Sequence, residues 1–191
     1  MREEIGLPYH VHPVNLRNNE QKTPEFLAIN PNGRIPAIID TDGPGGQPLT
    51  IIESGAILIY LAEKSGQLLS HEPVRRIEAL EWLMFQMAGV GPMFGQLGWF
   101  QRNAPENQQG LTRYTDESVR LAGVLDQRLG EAAYLAGEYS IADIATFTWV
   151  GALASFHIPL ETMPNLRRWQ AAIATRPAVQ RGLTVPAVSA G

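Results

Sequence analysis

Cysteine is absent from this 191-residue chain, which excludes disulfide staples, thiolate metal sites and any protein-borne thiol nucleophile or CxxC redox pair. Any sulfur chemistry must therefore arrive with a ligand. Histidine is sparse: His10, His12, His71 and His157 are scattered, and although His10 and His12 would share one face of a strand, nothing nearby completes a metal-ligand set. Basic charge is thin as well. Fifteen Lys and Arg against nineteen Asp and Glu leave a net charge of −4, and no block of basic residues forms a phosphate-binding stripe, so nucleic acid is not an expected partner. No stretch approaches the roughly 18 consecutive apolar residues of a membrane span, and Met1-Arg2-Glu3-Glu4-Ile5-Gly6 lacks the apolar run of a signal peptide. The expectation is a cytoplasmic protein without a membrane partner, and no internal repeat is visible.

Apolar residues make up 45% of the chain, enough to bury a core in one large domain or two small ones. The segment Tyr9 to Val14 reads as a β-strand, and Pro24-Glu25-Phe26-Leu27 as a helical turn opened by proline. Ile35 to Asp40 and Leu49 to Ile52 are short apolar runs joined by a Gly- and Pro-rich segment, the pattern of a hairpin with a long turn. Ser54 precedes a run of helix formers that Ser65-Gly66 ends. Beyond it strand signals vanish. Helical periodicity recurs over Val74 to Phe85, Tyr114 to Leu129, Ile144 to Phe156 and Leu166 to Thr175, with Val185 to Gly191 expected to fray. These patterns predict an α/β unit over 1–65, a linker over 66–71 and an all-helical domain over 72–191.

Several motifs carry a physical meaning. Ser140-Ile141-Ala142-Asp143 has the spacing of a capping box, with Ser140 as N-cap and Asp143 as its reciprocal partner. At Glu53-Ser54 the start of a helix offers unpaired N–H groups to a carboxylate, while the Glu53 side chain can hold an ammonium. Read in isolation, Ser54 is an ordinary N-cap and Glu53 a surface charge. Met84 to Phe100 interleaves Met and aromatic residues with glycines and Pro92. It is either a kinked core helix or a wall for an apolar co-substrate, and packing is the commoner use of such stripes.

Asn30-Pro31-Asn32-Gly33-Arg34-Ile35-Pro36-Ala37-Ile38, followed by Glu53-Ser54-Gly55-Ala56-Ile57-Leu58, resembles the signature of the glutathione transferase superfamily. Gly91-Pro92-Met93, Ala104-Pro105 and Arg113-Tyr114 are similar to its bacterial nu class of disulfide-bond oxidoreductases. That resemblance implies a thioredoxin-like N-terminal domain and an all-helical C-terminal glutathione-transferase domain. It also implies that the first strand is missing, with the loop that bears the family's catalytic Ser, Tyr, Cys or Thr-Asn, so no catalytic residue is assigned. By the same resemblance Pro36 is cis and Ile35 presents its backbone to the cysteinyl part of glutathione. Glu53 and Ser54 hold the γ-glutamyl end, Gln21 and Arg34 lie against the ligand, and Arg113 reaches it from the other subunit of a homodimer with shared sites. The implied cofactor-like ligand is glutathione or its disulfide, the second substrate a small thiol or disulfide. The implied activity is glutathione-dependent disulfide reduction or glutathione transfer. A non-catalytic interaction or regulatory module of the same fold is the alternative.

Overall fold

A computed structural model of the chain describes residues 1–186; of the tail expected to fray, residues 187–191 lie outside the described residues. Thr23 accepts a hydrogen bond from the Phe26 amide and Pro24 fills the first position of a short helix, Pro24–Ile29, here α2, after an N-terminal turn α1, Arg2–Ile5. The hairpin is present as β1, Ala37–Asp40, and β2, Leu49–Ile52, paired antiparallel with Ala37 opposite Ile52 and Asp40 opposite Leu49. Gly45 and Gly46, at φ 69° and 73°, turn the connecting loop. Among the described residues this sheet has two strands.

The expected strand over Tyr9 to Val14 does not form; the segment is irregular and largely exposed. Strand propensity is realised only against a partner edge and an apolar layer, and neither β1 nor β2 pairs with this segment. Tyr9 instead donates its hydroxyl to Glu3 Oε1 at 2.7 Å and lies beneath the Arg2 guanidinium.

Helix α3, Ser54–Ser65, connects the two halves. Ile57 and Leu61 pack with Ile5 against Ile38 and Ile51 of the hairpin, whereas Leu58 and Ala62 join the main core. Its end is tied to β1 by Asp40, whose Oδ2 accepts from Tyr60 Oη at 2.7 Å and Lys64 Nζ at 2.6 Å. These bonds hold the Asp40 carboxyl down at about 2 and push the Tyr60 hydroxyl up to about 12.

The helical half contains α4, Pro73–Phe85; α5, Gly91–Asn103; α6, Gln108–Glu131; α7, Ile141–Gly151; and α8, Pro164–Ala174. Leu83, Phe94, Leu97, Leu121, Leu125 and Trp169 are fully buried between them. The bend expected at Pro92 takes a definite form: α4 runs into a π-turn, Gln86–Val90, closed by the Gly91 amide donating to Gln86 O. Pro92 has no N–H for the Ala88 carbonyl, so the ladder is already broken at this point and a wider turn costs little more. Arg176-Pro177 ends α8 as expected, yet Pro177 also opens a further helix, α9, Pro177–Leu183, because proline suits a first helical position. Among the described residues no helix is long and apolar enough to cross a membrane.

The ends of the chain are joined electrostatically. Arg176 donates to Glu4 through Nε at 2.8 Å and Nη2 at 2.9 Å and stacks 3.8 Å over the Tyr139 ring, while Arg181 reaches Glu3 at 2.7 Å. The Arg176 hydrogen bonds hold the Glu4 carboxyl below its ordinary 4.5, with partial burial opposing them. A depressed carboxyl stabilises the fold above its unfolded-state value and loses that contribution as pH falls through the folded-state value. Arg176→Ala is therefore expected to lower stability at pH 7 by about 1 kcal/mol after solvent screening. Urea midpoints of wild type and variant should converge as pH falls through and below the depressed Glu4 value.

Candidate functional site

The loop from Asn30 to Pro36 is held by a buried asparagine. Asn30 Nδ2 donates to Arg34 O at 2.6 Å, its Oδ1 accepts from the Asn32 amide at 3.0 Å, and its carbonyl accepts from the Gly33 amide at 2.9 Å. Gly33 sits at φ 59°, and a Cβ there would stand 2.9 Å from Gln21 O, so glycine is required for the loop to fold onto the Gln21 turn. The loop presents Ile35, 47% exposed, ahead of a cis Ile35–Pro36 peptide.

Beside it the chain enters α3 through Glu53, a non-glycine residue at φ 66° and ψ 119°. Such a conformation carries strain of about 1–3 kcal/mol and is retained where the surroundings impose it, commonly at a binding site. Ser54 was expected to be the N-cap; the cap position is taken by Glu53, without a side-chain capping bond, and Ser54 is the first helical residue. Its hydroxyl points across to Met87 Sδ at 3.7 Å. The first backbone bond of α3 runs from the Ile57 amide to Glu53 O. Among the described residues the amides of Ser54, Gly55 and Ala56 therefore have no acceptor, and they end in a twelve-residue helix dipole. Glu53 stands exposed over this end, with Asn32 Nδ2 at 3.5 Å from its Oε1.

A cavity of about 240 Å³ opens next to these groups. Pro36 and Ser54 line it from the hairpin side, Gln86 and Met87 from the π-turn, and Thr148 and Trp149 from α7. The structure thus brings Ile35, Pro36, Glu53 and Ser54 to one edge between the two halves. Gln21 lies behind the loop through its contact at Gly33, with a shielded Oε1 that has no donor among the described residues. Arg34 is exposed beside Ile35, its carbonyl taken by Asn30. Arg113 is exposed near the start of α6, forms no ion pair among the described residues and does not line this cavity.

The Met and aromatic stripe divides. Phe94 and Leu97 belong to the core, Met84 and Trp99 are about half exposed, and Met87 faces the cavity. Gln86 and Trp149 were not anticipated as cavity residues. The density of Gly and Pro after Gln86 signals an interrupted helix, but which side chains an interrupted turn exposes depends on the helices packed against it.

A thioredoxin-type unit whose cis-Pro loop and strained helix entry meet a helical domain across a cavity defines a glutathione-transferase-type architecture. The family profile "Glutathione S-transferase, N-terminal domain" matches residues 1–64, and "Glutathione S-transferase, C-terminal domain" matches residues 88–177. This chain belongs to the glutathione S-transferase family. It is 46% identical over 184 residues to the disulfide-bond oxidoreductase YfcG of Escherichia coli, with 95% of this chain and 86% of that protein covered. A glutathione transferase from Burkholderia graminis, solved with two glutathione molecules bound per subunit, superposes with a TM-score of 0.95 at 51% identity, covering 98% of this chain and 82% of that one. One from Pseudomonas putida, with one glutathione disulfide bound per subunit, gives 0.93 at 49% identity, covering 97% and 84%.

Proposed function

We propose that this protein binds glutathione or glutathione disulfide and supports glutathione-dependent reduction of small disulfides, with transfer of glutathione to an electrophile as the related activity. The observation that carries the reading is the uncapped start of α3 beneath Glu53. Three free amides suit a carboxylate and the Glu53 carboxylate suits an ammonium, which are the two groups of a γ-glutamyl end. Ile35 and Pro36 offer backbone to the cysteinyl portion, Ser54 adds a hydroxyl, Gln21 and Arg34 flank the loop, and Arg113 serves the site of the other subunit. With no cysteine in the chain, exchange passes between ligand sulfurs. One glutathione thiolate attacks the substrate disulfide and releases a thiolate. A second attacks the mixed disulfide, giving glutathione disulfide and the second thiol, with each leaving thiolate taking up the proton lost by an attacking thiol. The protein contributes positioning.

Residues 1–65 form the ligand-binding domain, 66–71 the linker and 72–191 the helical domain of a cytoplasmic homodimer with shared sites. Val74, Ile77 and Met84 leave an apolar stripe on α4 that is 65%, 55% and 48% exposed, which suits a subunit interface. Replacing Val74 and Ile77 together by glutamate is expected to halve the mass measured by light scattering, with the thermal midpoint read in parallel; an unchanged mass would remove α4 from the interface. The activity itself is tested with the purified chain, glutathione and bis(2-hydroxyethyl) disulfide, coupled to glutathione reductase and NADPH. Turnover above the uncatalysed rate is expected. Binding without turnover would favour the non-catalytic module.

A further inference from the structure

Among the described residues the Glu53 carboxylate has one side-chain partner, Asn32, whose Nδ2 donates to its Oε1 at 3.5 Å. The backbone of Asn32 is fixed for this reach. Its amide donates to Oδ1 of Asn30, a residue only 2% exposed, and the turn closes through the Gly33 amide on Asn30 O. Asn30 Nδ2 also donates to Arg34 O, one residue before Ile35. One buried side chain thus sets the loop that leads to Ile35 and the residue that touches Glu53. Two cations lie nearby without pairing with Glu53. Lys22 Nζ is drawn onto the loop backbone, 3.4 Å from Asn32 O, in space left by the absent Cβ of Gly33, and Arg34 is exposed. Neither forms an ion pair among the described residues. The Glu53 charge is therefore oriented by a neutral donor and left uncompensated beside the free amides of α3.

We propose that Asn32 is a positioning residue for the γ-glutamyl end of the ligand, holding the Glu53 carboxylate in place while leaving its full charge to the ligand ammonium. The inference rests on the glutathione reading and adds to it a residue that acts through Glu53. A carboxylate oxygen accepts more than one hydrogen bond, so Oε1 can serve Asn32 and the ammonium together. A lysine at this position would bring its own charge to the same carboxylate and compete with the ligand. Holding the carboxylate before the ligand arrives lowers the ordering cost of binding, and the gain is confined to ligands that carry the ammonium.

The test uses the full chain and two probes, glutathione and glutaryl-cysteinylglycine, which keeps the thiol and both carboxylates and lacks the ammonium. Calorimetry gives each affinity, and thermal melts accompany each variant. The wild type is expected to favour glutathione by about tenfold. Asn32→Ala keeps the backbone amide that Asn30 holds, and should cut that preference about threefold, the size of one exposed neutral hydrogen bond, with affinity for the glutaryl probe unchanged. Asn32→Lys should bring the preference near one. In a Glu53→Ala background, Asn32→Ala should change neither affinity, since its route to the ligand is gone. A preference that Asn32→Ala leaves intact, an equal loss for both probes, or a loss that persists without Glu53 overturns the proposal and leaves the glutathione site standing. A wild type that binds both probes equally, or neither, overturns the reading of Glu53 itself and the proposal with it.

Discussion

Asp143→Ala is expected to destabilise the protein by about 3–5 kcal/mol, enough to unfold much of a domain of ordinary stability. Asp143 is fully buried, and its two oxygens accept from the Leu135 amide at 3.0 Å, Trp169 Nε1 at 2.7 Å, the Ser140 amide at 2.9 Å and Ser140 Oγ at 3.2 Å. One carboxylate therefore completes the capping box of α7, fixes the loop at Leu135 and anchors Trp169 of α8. Burial pushes its carboxyl above the ordinary range, while these four hydrogen bonds pull it back. Removing the group orphans buried donors, which is costlier than losing a surface ion pair. Asp143→Asn keeps the volume but turns an N–H₂ toward donors already present, so it should recover less than half of the loss. Urea denaturation at pH 7 checks both; a loss under about 1 kcal/mol for alanine would mean that the loop simply re-solvates.

The second large effect is on binding. Glu53→Ala is expected to weaken glutathione binding about tenfold, and Glu53→Ala with Ser54→Ala about fiftyfold, reflecting one charge-assisted and one neutral hydrogen bond in a partly exposed site. The backbone amides of α3 remain in both variants, so some affinity should persist. Glu53→Gly separates the roles: at φ 66° glycine relieves strain, so stability should rise by up to about 1 kcal/mol while affinity falls as in the alanine variant. Calorimetry and thermal melts on the same samples read both quantities. A Glu53→Gly protein that binds as tightly as the wild type would leave the side chain without a role at the ligand.

The sequence made the local features legible and the cooperative ones much less so. The hairpin, the capping box at Ser140 and Asp143, and the core seam of α6 follow from short-range patterns, since turn residues and helical periodicity act within a few positions. Tyr9 to Val14 failed as a strand because β-structure needs an edge to pair with, a condition no local pattern contains. Ser54 was misplaced by one position, since the N-cap depends on the φ of Glu53, which composition does not reveal. The cis peptide at Pro36 and the closeness of Pro36 to Ser54 were legible through family resemblance, in which a short motif stands for a three-dimensional arrangement. Gln86 was not, because an interior glutamine in an apolar helix gives no sign of which way a π-turn will face it. The Met stripe was half legible: Phe94 went to the core as packing statistics suggest, and Met87 went to the cavity.

The central claim, that the loop at Ile35-Pro36 and the helix entry at Glu53-Ser54 together hold glutathione, is tested most directly by a crystal structure of the chain grown with glutathione disulfide. The γ-glutamyl carboxylate should lie on the amides of Ser54 and Gly55 with its ammonium on Glu53, and the cysteinyl backbone should pair with Ile35. Glutathione disulfide bound elsewhere, or bound here in the reverse orientation with its glycyl end on α3, would contradict the account.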